Sequence, residues 1–149
     1  MEHTTFVIDA SVGIKLVLPE PLSDRAESLF GLLGKQPVVR FFVPDLFYVE
    51  CANVLWKRVT RYGYKISDAM VDLRNLRALA LRIVATSDLT ETALKLSVLH
   101  GITAYDACYV ALSDLVIAPL ITADERLVRK LADKKDRVQW LGNLAAHST

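Results

Sequence analysis

Short apolar runs rich in β-branched and aromatic residues alternate with longer segments of helical periodicity along the whole chain. This alternation narrows the fold more than any other feature. Residues 5–8 (Thr-Phe-Val-Ile) read as a strand, and 11–18 as a helix broken by Pro19 and Pro21. Residues 22–33 are amphipathic and closed by Gly34, and 38–43 form the second strand. Pro44 precedes a helix from Asp45 to about Tyr62, stopped by Gly63, and Ser67 caps the next helix, to about Arg82. A short strand at 83–85 leads into a helix that opens at Thr86-Ser87-Asp88 and stops at Gly101. Thr103 caps a helix through Leu115, followed by a strand at 120–122, a helix at 124–134 and a last strand at 138–141.

Strands separated by helices pair in parallel, with the crossover helices covering the sheet. The expected fold class is therefore α/β: a three-layer α/β/α sandwich with a mainly parallel central sheet. Covering both faces requires apolar side chains, and 52% of the chain is hydrophobic against 23% charged. No repeat, low-complexity tract or linker interrupts the 149 residues, so a single domain spanning 1–149 is expected. The opening MEHTTFVIDAS has too short an apolar run for a signal peptide, and no stretch approaches the ~18 uninterrupted apolar residues of a membrane span. Cys51 and Cys108 lie in apolar helical stretches and read as reduced, buried thiols rather than a disulfide framework. A cytoplasmic protein is expected.

The same topology directs attention to one edge. In a parallel α/β sheet the strand C-termini and the following helix N-termini share a rim where ligands bind. Among 17 acids, four are embedded in apolar segments, where an ionised carboxylate is costly without compensation. Asp9 follows Phe-Val-Ile at the end of the first strand, and Asp124 follows Leu-Ile-Thr-Ala. Glu50 and Asp106 have no charged neighbour within four residues on either side. Asp9 and Asp124 also suit helix N-caps, and Asp106, three residues after Thr103, suits a capping box. Glu50, in mid-helix, has no capping role.

Four carboxylates gathered at one rim would repel unless a divalent cation neutralised them. Oxygen ligands without His or Cys favour Mg²⁺ or Mn²⁺ over zinc. The histidines are not arranged as ligands: His3 and His147 are terminal, and His100 precedes Gly101. Such an ion activates water and screens the charge of a phosphoryl displacement, the chemistry of phosphodiester hydrolysis.

Charge is uneven. Residues 57–82 hold seven bases (Lys57, Arg58, Arg61, Lys65, Arg74, Arg77, Arg82) and two acids (Asp68, Asp72), a local +5 that leaves −4 elsewhere in a chain of net +1. A basic flank suits contact with a phosphate backbone, although solvated helix faces produce the same pattern. Lys15, Lys57 and Arg58 are the candidate phosphate holders.

Four segments in order complete the pattern: Phe-Val-Ile-Asp-Ala-Ser, Tyr-Val-Glu-Cys-Ala-Asn, Thr-Ala-Tyr-Asp-Ala-Cys-Tyr-Val-Ala-Leu and Leu-Ile-Thr-Ala-Asp-Glu-Arg-Leu. With them the chain resembles the PIN-domain nucleases, and within them the VapC-type toxins of toxin–antitoxin pairs, over nearly its whole length. The resemblance implies a PIN-like sandwich, Mg²⁺- or Mn²⁺-dependent endoribonuclease activity on RNA, and a homodimer restrained by a small antitoxin. It implies Asp9 and Asp106 as principal metal ligands, with Glu50 and Asp124 completing the catalytic acidic pocket. Ser11 and Thr122 would support the acids, and Asp114 and Glu125 are candidate additional acids. Large apolar residues at 46–59 and 70–81, among them Trp56, Leu73, Leu76 and Leu79, serve core packing or a groove for an antitoxin helix.

Two other classes are open to a chain of this pattern. A phosphoacceptor receiver domain needs an adjacent acidic pair after the first strand, where only Asp9 is found. A catalytically inactive PIN-like module for binding RNA or protein would not need all four acids.

Overall fold

In a computed structural model that describes residues 4–35 and 37–144, the strands form one sheet in the order β3-β2-β1-β4-β5, every pair parallel. The elements run β1 (Thr5–Ile8), α1 (Ala10–Gly13), α2 (Ser23–Phe30), β2 (Arg40–Pro44), α3 (Leu46–Tyr62), α4 (Ile66–Arg77) and β3 (Arg82–Val84). They continue with α5 (Thr90–His100), α6 (Ala104–Val116), β4 (Leu120–Thr122), α7 (Glu125–Lys130) and β5 (Val138–Trp140). His3 and His147 lie outside the described residues.

The strand order reverses between β1 and β4. Right-handed crossovers therefore place the helices after β1 and β2 on one face and those after β3 and β4 on the other. The packing follows: α3 rests on α1 and α4, whereas α5 rests on α6. The expected α/β sandwich is thus observed, with a sheet that is wholly parallel. Val7, Ile8, Phe41, Val43, Leu120 and Ile121 are fully buried at its centre, and strands covered on both faces show no polar alternation. Among the described residues, no helix is long and apolar enough to cross a membrane.

Boundaries differ from the sequence expectations where tertiary packing overrides helical periodicity. Residues 11–18 form one α-turn, α1, continued by a 3₁₀ turn at Ile14–Leu16. The helix expected over 22–33 stops at Phe30, because Leu32 and Leu33 turn back to pack against the core. The helix expected to reach Arg82 stops at Arg77, and Arg82 pairs with Phe42 as the start of β3. Its N-cap is Lys65, with Ser67 inside the helix. Thr86–Leu89 is a 3₁₀ turn before α5, and α7 ends at Lys130 because Leu131 leaves helical geometry to become buried. Gly63 and Gly101 stop α3 and α5 in the left-handed conformation, as their positions suggest.

Candidate active site

The reversal in strand order leaves a crevice at the C-terminal ends of β1 and β4, the place where open α/β sheets bind ligands. Asp9 ends β1 on one side of it and Asp124 follows β4 on the other. Asp9 is only 5% exposed. Although it stands at the N-cap position of α1, its side chain makes no capping bond. Its Oδ2 instead accepts the hydroxyls of Ser11 and Thr122, both at 2.7 Å. Those hydroxyls are themselves held: Ser11 Oγ accepts the Ala123 amide at 3.0 Å and Thr122 Oγ1 the Asp124 amide at 3.1 Å. The Asp9 carboxylate is thereby oriented by the two segments that the sequence pairs with it.

Asp106 enters from the first turn of α6. Thr103 caps that helix, its Oγ1 accepting the Asp106 amide at 3.1 Å. Glu50 enters from the second turn of α3, and its Oε1 accepts the hydroxyl of the fully buried Tyr109 at 2.8 Å. The approach of α3 depends on Gly13: a Cβ there would stand 2.5 Å from Cζ of Phe47, one turn before Glu50. Asp124 does act as a cap, its Oδ1 accepting the amides of Arg126 at 2.9 Å and Leu127 at 3.3 Å.

All four acids line one open cavity of about 620 Å³, with Ser11, Asn53, Thr103 and Tyr105. Burial raises the pKa of Asp9, with the Asp124 charge adding to it against the two hydroxyls. Burial and repulsion from Asp9 and Asp106 push Glu50 up to about 7, against the Tyr109 bond. Asp106 is pushed up to about 6 by burial and by Asp9 and Asp124. Asp9, Glu50 and Asp106 are thus charges held where charge is unfavourable, among others of the same sign. Among the described residues, no group of three or more His, Cys, Asp or Glu side chains is gathered closely enough to hold a metal ion as it stands. Like charges facing one another favour separation. The donor chemistry nevertheless fits a hard divalent cation, since the cavity offers carboxylate and hydroxyl oxygens and is lined by no His or Cys.

Several auxiliary residues fall elsewhere than the sequence suggested. Lys15 and Arg58 do not face the acids: both bind Glu20, at 3.2 and 3.1 Å. Among the described residues, no base lines the acidic cavity. Lys57 is exposed more than one turn beyond Asn53, because α3 carries its later residues away from the rim. Asp114 pairs with Arg137 and Lys134 in a different pocket, and Glu125 is exposed outside the acidic cavity. Sequence reasoning missed Tyr109, whose signal was a tyrosine one turn after Asp106 in an otherwise apolar helix face. A buried phenol needs a hydrogen-bond partner.

Comparison with known proteins supports the family and the fold. The PIN domain family model matches residues 6–134. The chain is 32% identical over 126 residues to ribonuclease VapC3 of Pyrobaculum aerophilum, covering 83% of this chain and 92% of that one. A crystal structure of a protein from Pyrobaculum aerophilum superposes with TM-score 0.69 at 21% identity, covering 93% of this chain and 92% of that one. A toxin–antitoxin complex from Klebsiella pneumoniae gives TM-score 0.61 at 16% identity, with 96% and 98% covered.

Proposed function

The chain belongs to the PIN-domain family, and on that footing we propose that it is a ribonuclease, the VapC-type toxin of a toxin–antitoxin pair. One observation carries the reading furthest. Four carboxylates from four separate segments, Asp9, Glu50, Asp106 and Asp124, line one cavity at the point where the strand order reverses, with no base among the described residues that line it. An arrangement that leaves acids repelling one another has little structural value, and is what cation-assisted phosphodiester hydrolysis requires.

PIN nucleases generally use a divalent metal; here Mg²⁺ or Mn²⁺ suits the oxygen donors. Asp9 and Asp106 would be its principal holders, with Glu50 and Asp124 completing the set. When bound, the cation lowers the pKa of water and screens charge developing on the scissile phosphate. Ser11 and Thr122 hold the Asp9 carboxylate in one orientation, and Tyr109 does the same for Glu50. Thr103 fixes the helix end that presents Asp106. Incubating RNA with the protein in Mg²⁺, Mn²⁺ and EDTA tests the proposal. Cleavage should need the metal and vanish in Asp9→Asn and Asp106→Asn; wild-type rates in those variants would refute the assignment.

The partner is a small antitoxin protein, as the toxin–antitoxin complex among the structural relatives suggests. Exposed apolar side chains on α3 and α4, including Val49, Trp56, Ile66 and Met70, support a groove for an amphipathic helix. Gel filtration with the product of the adjacent gene tests this, and the mass of the isolated chain tests the proposed homodimer. A cytoplasmic location accords with an RNA substrate.

A further inference from the structure

The acidic cavity has a neighbour that shares its wall. A pocket of about 250 Å³ is also lined by Thr103, Asp106 and Asp124, and it extends from them to Arg126 and Lys130. Thr103, Asp106 and Asp124 are common to both, so Asp106 and Asp124 face two adjoining lobes.

The lobes differ in chemistry. The larger one presents the Tyr105 ring, 67% exposed at the mouth immediately before Asp106. The smaller one holds the cations that the larger lacks. The Arg126 side chain is 83% exposed and reaches Asp124 only at 4.0 Å. Lys130 donates to the Gly101 carbonyl at 3.0 Å and is in no ion pair among the described residues. It lines the smaller lobe together with Asp106 and Asp124, which places it beside the acids. A phosphate chain crossing four carboxylates is repelled there and needs cations close by. Among the described residues lining the two lobes, they stand on α7 and not in the 57–82 stretch where the sequence concentrates them.

Resting on the ribonuclease reading, we propose that the two lobes form one track for an unpaired RNA strand, with a base stacked on Tyr105 and a neighbouring phosphate held by Lys130 and Arg126. A base can lie on an aromatic ring only when it is free of a duplex, so the ring selects single-stranded or looped segments. The cations on α7 give the strand a fixed direction across the acids. Tyr105, Lys130 and Arg126 are positioning residues in this scheme. Their side chains are exposed, so substituting them leaves the core untouched.

The experiment measures cleavage of an unstructured 20-nucleotide RNA, free and annealed to its complement, by the full chain in Mg²⁺. Wild type should prefer the free strand, and Tyr105→Ala should raise KM about tenfold with little change in kcat, consistent with the loss of one stacked base. Tyr105→Phe should behave as wild type. The double variant Lys130→Gln with Arg126→Gln should flatten the dependence of log kcat/KM on log salt by about 0.7, one single-strand phosphate. If these variants keep wild-type KM and salt slope while Asp106→Asn is inert, or if the duplex is cut as fast as the free strand, the track is overturned and the ribonuclease reading stands. A wild-type chain that cuts neither RNA in Mg²⁺ or Mn²⁺ overturns that reading and the track with it.

Discussion

The Asp9 carboxylate accepts the Thr122 hydroxyl at 2.7 Å, joining the end of β1 to the end of β4 where the sheet reverses its order. The same hydroxyl accepts the Asp124 amide at 3.1 Å, so one oxygen orients two of the four acids' segments. Thr122→Val keeps the shape and removes both bonds. It should destabilise the protein by about 1–3 kcal/mol in urea unfolding, the cost of stranding buried polar partners. Cleavage should fall about tenfold through kcat, as for a lost supporting contact at a metal ligand. Unchanged stability would show that the Thr122 bond carries nothing.

Gly13 sets the distance between α1 and α3. Gly13→Ala places a methyl against the Phe47 ring, whose Cζ would be 2.5 Å away. Stability should drop by about 1–3 kcal/mol from overpacking. Activity should fall as well, because the shift moves Glu50 away from Asp9 and Asp106. Phe47→Leu in the same chain should recover part of both, as read by thermal unfolding and RNA cleavage. A Gly13→Ala protein with full activity and an unchanged Tm would contradict this spacing role.

Acidity should stabilise the metal-free protein. Glu50 is raised to about 7 and Asp106 to about 6 in the fold, each above the ordinary value, so the native state binds protons more tightly than the unfolded chain. Their contribution is fully present below about pH 4, the unfolded value, and is lost as pH rises through 6 and 7. In EDTA, Tm should therefore climb by about 5 °C on going from pH 8 to pH 5. Added Mn²⁺ at pH 8 should raise it by neutralising the same acids. A flat Tm profile in EDTA would show that the acids are well solvated.

Tyr109→Phe removes the hydroxyl that holds Glu50 Oε1 at 2.8 Å. That bond favours the ionised carboxylate, so its loss should raise the Glu50 pKa further. The acid limb of the pH–activity profile should move upward, and Mn²⁺ affinity should weaken about tenfold. Identical profiles for the variant and wild type would remove Tyr109 from the site.

Ile117 ends α6 in the left-handed conformation, at φ 52°, and is 78% exposed. A β-branched residue is unfavourable there by about 1–2 kcal/mol. Ile117→Gly should raise stability by about 1 kcal/mol in urea unfolding and leave cleavage unaltered. A loss of stability would mean that the isoleucine makes contacts outweighing its backbone strain.

Much of the architecture was legible in the residues because it rests on local rules. Periods of two and of three to four residues separate strands from helices, and strands joined by helices must lie parallel. Asp9, Glu50, Asp106 and Asp124 stood out because each interrupts an apolar segment, which is a local property and an energetic cost. Helix ends were less legible: Phe30, Arg77 and Lys130 end their helices where following leucines turn into the core, and only the assembled core dictates that.

The tertiary structure decided which side chains meet. Lys15 and Arg58 have the composition of phosphate holders, yet Glu20 draws both because the chain after α1 passes beside α3. Tyr109 gains its role from Glu50, 59 residues away in sequence. Lys130, which the sequence did not single out, lines a lobe shared with Asp106. The linear chain determines which residues are costly to bury and which segments can be regular. Partnership between residues far apart is set by sheet order and helix packing, because hydrogen bonds and screened charges act over a few ångströms in space, whatever the separation along the chain.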